Sequence, residues 1–288
     1  DKIDLGLQIE ADRMVNSLFD EREVTSERTV IISEREGSEN EPFFLLAEAV
    51  QNAAFRVHPY HHEVIGDLPD LLSISREDLF AHYRTFYTPN NAVLSVAGDF
   101  KTKELLARIQ ALFKPIASGP NPGRLTRPEP GMNGEHRLEV EGPGETCFLE
   151  IAYHAPSAAD DDFFPATVLD SLLAGPSSLN MFGGGGISNK TSRLYRSLVE
   201  KELAVSVSGG LSATIDPYLY SVVITVHPKK KPDEALVAFD NEILRLQNEP
   251  VPVAEITRAI KQARALFAYG SENITNKAFW LGHAEMCA

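Results

Sequence analysis

The chain is poor in cysteine, in basic charge and in long apolar runs, and each shortage closes off a class of function. Cys147 and Cys287 are the only cysteines in 288 residues, far apart and in no C-x-x-C pair. That argues against a disulfide framework and against a cysteine-ligated zinc site. Lys and Arg number 27 against 41 Asp and Glu, a net charge of -14. General nucleic-acid binding needs clustered cations, so that class is set aside. No stretch reaches the roughly 18 consecutive apolar residues of a membrane-spanning helix. Missing too is G-x-S-x-G, the local pattern of a serine nucleophile, and the scattered His82, His136, His154, His227 and His283 form neither H-E-x-x-H nor H-x-x-x-H, the patterns of a helix-borne zinc pair.

What remains is an ordinary globular composition, 43% hydrophobic and 24% charged, enough for one large domain or two of medium size. The acidic balance suits basic or unfolded peptide partners, and it equally suits solubility alone. Asp1-Lys2-Ile3-Asp4-Leu5 opens directly into a helical pattern, and Ala278-Phe279-Trp280-Leu281 closes without a cap. The chain is therefore expected to be a fragment cut at both ends.

Helical periodicity runs through residues 3–19, from Val24 to Glu36 with Thr25 or Ser26 as its start, and from Pro42 to Ala53. Ser75-Arg76-Glu77-Asp78 is a capping box opening a helix to about Phe86. Ala92 to Gly98 has the texture of a buried strand, and Lys103 to Phe113 of another helix. Between Pro115 and Gly134 five prolines and four glycines make a linker. Beyond it, strands are expected at Arg137–Val140, 146–153, Ala204–Ser208 and Tyr220–Val226. Helices are expected at Phe163–Leu173, near Ser192–Lys201, at Asp233–Gln247 and at Val253–Tyr269. Strands grouped with runs of helices predict an α+β fold, with helices on one face of a mostly antiparallel or mixed sheet in each half.

Three features could carry chemistry. Gly184-Gly185-Gly186-Ile187-Ser188-Asn189-Lys190-Thr191 is one residue from a P-loop, but Asn189 stands where the pattern needs Gly, and no strand feeds it. A hinge or polypeptide-contacting loop is the better reading. His58, His61, His62 and Glu63 sit on a segment where adjacent histidines point apart, which favours packing over metal binding. Glu27 and Glu34 lie two helical turns apart, so both carboxylates project from one face. On composition alone that pair is a solvated helix face; as a site it would lack further ligands.

The residues around the two glutamates resemble the insulinase-like zinc metallopeptidases, the M16 or pitrilysin class that includes processing peptidases and their bacterial relatives. The resemblance is carried in order by Glu10-Ala11-Asp12-Arg13-Met14, by Glu27 to Glu34, and by His58-Pro59-Tyr60 with Ile65-Gly66. It continues through Tyr87-Thr88-Pro89-Asn90-Asn91-Ala92 with Gly98-Asp99, and through Ser192-Arg193-Leu194-Tyr195 with Leu198 to Lys201 and Leu203-Ala204. It implies two tandem domains: residues 1–116 as the rest of a zinc-bearing domain, 117–134 as linker, and 135–288 as an incomplete C-terminal domain.

The resemblance further implies a zinc metalloendopeptidase subunit that cleaves peptides in a chamber closed by two halves. Glu34 matches the family's third zinc ligand, and Glu27 an acid that supports the site from outside the ligand sphere. The H-x-x-E-H motif, with its general base, is expected upstream of Asp1, so this chain alone is expected to be inactive and to hold no zinc. The family's substrate-holding Arg and Tyr fall at Val199 and Val205. The partner is then a second half or subunit of the same class that carries the Arg/Tyr pair. A non-catalytic scaffold or assembly subunit of the same class is the alternative. The compartment is left open.

Overall fold

A computed structural model describes residues 2–123, 127–142, 144–177 and 188–287. The glycine run at 183–186 lies outside these. The chain divides into two compact units, residues 1–40 with 57–130, and residues 41–56 with 131–288.

The first unit is helical. It contains α1 (Ile3–Arg13), α2 (Glu21–Glu39), α4 (Leu68–Ser73), α5 (Arg76–Phe86) and α6 (Thr102–Phe113). Helix α2 begins several residues before the expected Thr25 or Ser26. Asp20 caps it, its carboxylate accepting from the N–H groups of Arg22 at 2.9 Å and Glu23 at 3.4 Å. Glu21 and Glu23 then favour the positive end of the helix dipole. The capping box of α5 forms as expected: Asp78 N–H donates to Ser75 Oγ at 3.1 Å and Ser75 N–H to Asp78 Oδ2 at 2.9 Å. The Ser75 hydroxyl, which donates to Asp78 Oδ2 at 2.5 Å, and then the Ser75 N–H hold the Asp78 carboxyl below its ordinary pKa.

Leu7, Ala11 and Leu105 are buried where α1 meets α6. Tyr83 of α5, 3% exposed, donates to Arg13 carbonyl at 2.9 Å and accepts from Ser17 N–H at 3.3 Å. Arg76 donates to the carbonyls of Leu18 and Phe19, each at 2.9 Å, and lies over the Phe80 ring. Part of the Pro/Gly-rich stretch is held to this unit. Gly119 and Asn90 exchange two bonds, N–H to Oδ1 at 2.8 Å and Nδ2–H to carbonyl at 3.3 Å. A Cβ on Gly119 would stand 2.3 Å from Thr88 Cγ2, so only glycine allows that approach.

The expected strand at Ala92–Gly98 does not form. Val93 and Leu94 are 44% and 45% exposed. A strand exists by its ladder, and the described residues of this unit offer no strand to pair with. Arg137–Val140 in the second unit does not form a strand either, and Leu138 is 41% exposed. Instead of a sheet in each half, one three-stranded sheet is described.

That sheet is in the second unit, which also contains α3 (Pro42–Ala54), α7 (Phe163–Leu173), α8 (Pro232–Asn248), α9 (Val253–Gly270) and α10 (Ile274–Cys287). Strands β1 (Phe148–Ala155), β2 (Ala204–Leu211) and β3 (Tyr218–Val226) lie in the order β1-β3-β2, both neighbours antiparallel to β3. Ile151 pairs with Val222, and Val207 with Ile224. Alternation on β3 sends Val222 and Ile224 to the same face, into the interior. There they meet Leu194, Leu198, Ala235 and Phe239, all fully buried, so α8 closes over the sheet. Helix α3 packs on β1: Phe55 stacks on His154 and Tyr218, and His154 Nε2 lies 2.9 Å from the Ala54 carbonyl.

The helix expected near Ser192–Lys201 is shorter and wider than an α-helix. Tyr195–Val199 forms a π-turn, closed by Glu200 N–H donating to Tyr195 carbonyl at 3.0 Å. Helix α10, which no sequence signal announced, follows α9 directly. No helix among the described residues is long and apolar enough to cross a membrane.

Candidate functional site

Glu27 and Glu34 both lie on α2, as the spacing required, and both are exposed. Among the described residues neither carboxylate has a hydrogen bond or an ion pair. Seven residues of helix put their Cα atoms about 10 Å apart along the axis, so both could reach one ion only by extending toward each other. The geometry therefore allows one of them to be a direct ligand and the other a neighbour two turns away. Between them on the same face Val30 is 55% exposed.

Among the described residues no three His, Cys, Asp or Glu side chains converge on a point. A zinc centre needs three protein ligands besides its water, so these residues do not build one. The histidine segment is not a substitute. His58 is buried, its Nδ1 accepting from Tyr60 N–H at 3.1 Å and its own N–H donating to Glu129 Oε2 at 2.9 Å. His61 and His62 have ring centres 3.8 Å apart, and His62 Nδ1 lies 3.4 Å from Asp67 Oδ2.

The positions of the expected Arg and Tyr are both irregular in backbone. Val199 ends the π-turn and packs, half-buried, against the core of the second unit. Val205 is the extra residue of a bulge: Ala204 pairs with Val226 and Ser206 with Thr225, leaving Val205 unpaired and 56% exposed. Around them the motif residues are structural. Ser192 Oγ accepts from Tyr195 N–H at 3.3 Å, Leu194 is fully buried, and Arg193 Nε donates to Glu255 Oε2 on α9 at 3.0 Å.

Sequence reasoning missed a second constellation. Asp170, an acid in the apolar run Phe163–Leu173, is 2% exposed. Its Oδ2 accepts from the Ser177 hydroxyl at 2.6 Å and the Ser177 N–H at 3.3 Å. The Tyr220 hydroxyl bears on the same carboxyl without closing a well-formed hydrogen bond. Burial, only partly offset by those bonds, raises Asp170 to about 6 and pushes Tyr220 far up as well. A Cβ on Gly209 would stand 2.3 Å from Asp170 Oδ1 and 3.0 Å from the Tyr220 hydroxyl. Across the seam, Asn189 Nδ2–H donates to Val207 carbonyl at 2.8 Å, and Gly175, at φ +98°, admits Asn189 against its backbone. Together Ser177, Asn189, Ser208 and Gly209 bound a cleft of about 520 Å³. A lone acid inside an eleven-residue apolar helix was the available signal.

Comparison with known proteins gives a consistent family. The family model described as the peptidase M16 inactive domain matches residues 73–263; that match includes Val199, Val205 and Asp170 and does not reach α2. A protein of Arabidopsis thaliana named "Probable mitochondrial-processing peptidase subunit beta" is 26% identical over 265 residues, 91% of this chain and 49% of the relative. A protein of Rickettsia bellii named "Uncharacterized zinc protease" is 25% identical over 280 residues, 96% of this chain and 63% of its own length. The crystal structure of a protease from Helicobacter pylori superposes with a TM-score of 0.84 at 21% identity, covering 99% of this chain and 67% of that one. The chain thus spans about half to two thirds of the length of these relatives.

Proposed function

This chain belongs to the peptidase M16 inactive-domain family, and on that basis we propose that it is part of a zinc metalloendopeptidase subunit. Residues 1–116 are the rest of a zinc-bearing domain, 117–134 a linker and 135–288 a C-terminal domain of the same class in tandem. Peptides are cleaved in a chamber closed by two halves, and the other half or subunit carries the Arg/Tyr pair. The family match over residues 73–263 carries the reading, and relatives named as zinc protease and processing peptidase support its chemistry.

Within that reading Glu34 is a zinc ligand and Glu27 an acid that supports the site from outside the ligand sphere. Both side chains stand exposed on one face of α2 without a partner among the described residues, which suits such a role. The described residues supply one ligand and no more, so peptide hydrolysis requires ligands and a general base that lie outside them. Zinc supplies, when bound in the longer protein, a water acidic enough to attack a peptide carbonyl.

A second reading, a non-catalytic scaffold subunit of the same family, is favoured by the family description itself. Peptidase assay and zinc analysis of the longer protein separate the two. Zinc and peptide cleavage that fall together in Glu34→Gln support the enzyme. A zinc-free, inactive wild type overturns it in favour of the scaffold.

A further inference from the structure

The buried face of α7 carries a carboxylate that the peptidase reading does not use. Asp170 is 2% exposed, and its Oδ2 is taken up by Ser177, through the hydroxyl at 2.6 Å and the N–H at 3.3 Å. Its Oδ1 has no hydrogen-bond partner of good geometry. The groups facing it are Tyr220 from β3, with Tyr153 of β1 acting on Tyr220, and from β2 only the bare backbone of Gly209. Helix α9 meets α7 through the Ser171 hydroxyl, which donates to Ala259 carbonyl at 3.1 Å, and its Glu255 is already paired with Arg193. No cation neutralises Asp170 among these contacts.

We propose that Asp170 is a protonation-dependent tether: its ionised form holds Ser177, and with it residues 175–177, to α7, and protonation loosens that hold. The argument is one of linkage. Both bonds from Ser177 favour the carboxylate over the carboxylic acid, so ionisation must strengthen those bonds in return. Burial opposes ionisation and lifts the carboxyl to about 6, which brings the change into the neutral range. Because Ser177 bounds the cleft with Asn189 and Gly209, the state of Asp170 sets one wall of it.

The sign of the effect separates a tether from a general change in stability. Global stability falls as pH rises through 6, since a buried charge is being made. The tether does the reverse. Amide hydrogen exchange at Ser177, corrected for the intrinsic rate, is measured at pH 5 and pH 7.5 in wild type and Asp170→Asn. Protection is expected to rise roughly fivefold with pH in wild type, the scale of one neutral hydrogen bond becoming charge-assisted, and to stay level in Asp170→Asn. Protection that is level or falls in wild type overturns the proposal, because release of Ser177 would then expose Asp170 to water. A second measurement does not depend on the Asn variant folding. In Ser177→Ala the carboxyl loses a bond that lowers its pKa, so the 13C titration midpoint of Asp170 must move up; an unmoved midpoint overturns the tether equally.

Discussion

Gly209 lies so close beneath Asp170 that a Cβ on it would stand 2.3 Å from Oδ1, and 2.7 Å from Ala174 Cβ. Neither neighbour can yield cheaply: Asp170 and Ala174 are each 2% exposed. Gly209→Ala should therefore destabilise the chain by about 2–3 kcal/mol, the range of overpacked cores. Gly210→Ala next door has open space around its Cβ and should cost less than about 1 kcal/mol. Urea midpoints of the two variants check the contrast.

The carboxyl of Asp170 gives stability a pH signature. Its folded pKa is raised from 3.8 to about 6. The contribution is therefore fully present below about pH 4 and is lost as pH rises to about 6. A shift of that size corresponds to about 3 kcal/mol. Unfolding midpoints measured from pH 4 to pH 7 should fall in wild type and lose most of that slope in Asp170→Asn. An equal slope in both would assign the pH dependence to other groups.

In the first unit the test falls on Tyr83. Its hydroxyl serves the Arg13 carbonyl and the Ser17 N–H, joining the segment after α1 to α5. Tyr83→Phe keeps the ring and leaves those two groups without the hydroxyl, at a cost of about 1–2 kcal/mol. Thermal melting should report it, with the loss confined to amides near residues 13–17 by hydrogen exchange.

In the second unit Phe239 sits fully buried under the sheet with Leu194, Leu198 and Ile224. Phe239→Ala should cost about 3–5 kcal/mol through lost burial and the cavity left behind. A value under about 1 kcal/mol would mean that α8 does not close this core.

Helices were legible where they carry their own signal; α4 and α10 do not and were not expected. Ser75 and Asp78 announce a capping box, and the apolar period of 102–113 and 253–270 fixes α6 and α9. Strands were legible only where a partner exists. Tyr218–Val226 lies between two neighbours, whereas Ala92–Gly98 has an equally apolar sequence and forms no ladder. Local sequence cannot state whether a partner strand is present.

The site shows the same division. Glu27 and Glu34 could be placed on one face by counting turns, and family resemblance alone gave them roles. Val199 and Val205 were placed by motif, but their π-turn and bulge depend on how the sheet pairs and carry no local signature. Asp170 escaped because its partners, Ser177, Gly209 and Tyr220, are spread over 50 residues and meet only in the fold.

The most direct measurement of the central claim is zinc affinity in the longer protein, compared across wild type, Glu27→Gln and Glu34→Gln. The account predicts that Glu27→Gln weakens zinc about 10–100-fold, as loss of a group behind a ligand does. Glu34→Gln weakens it further and takes peptidase activity with it. Wild-type zinc affinity and wild-type activity in Glu34→Gln would contradict the assignment of α2 to the metal site.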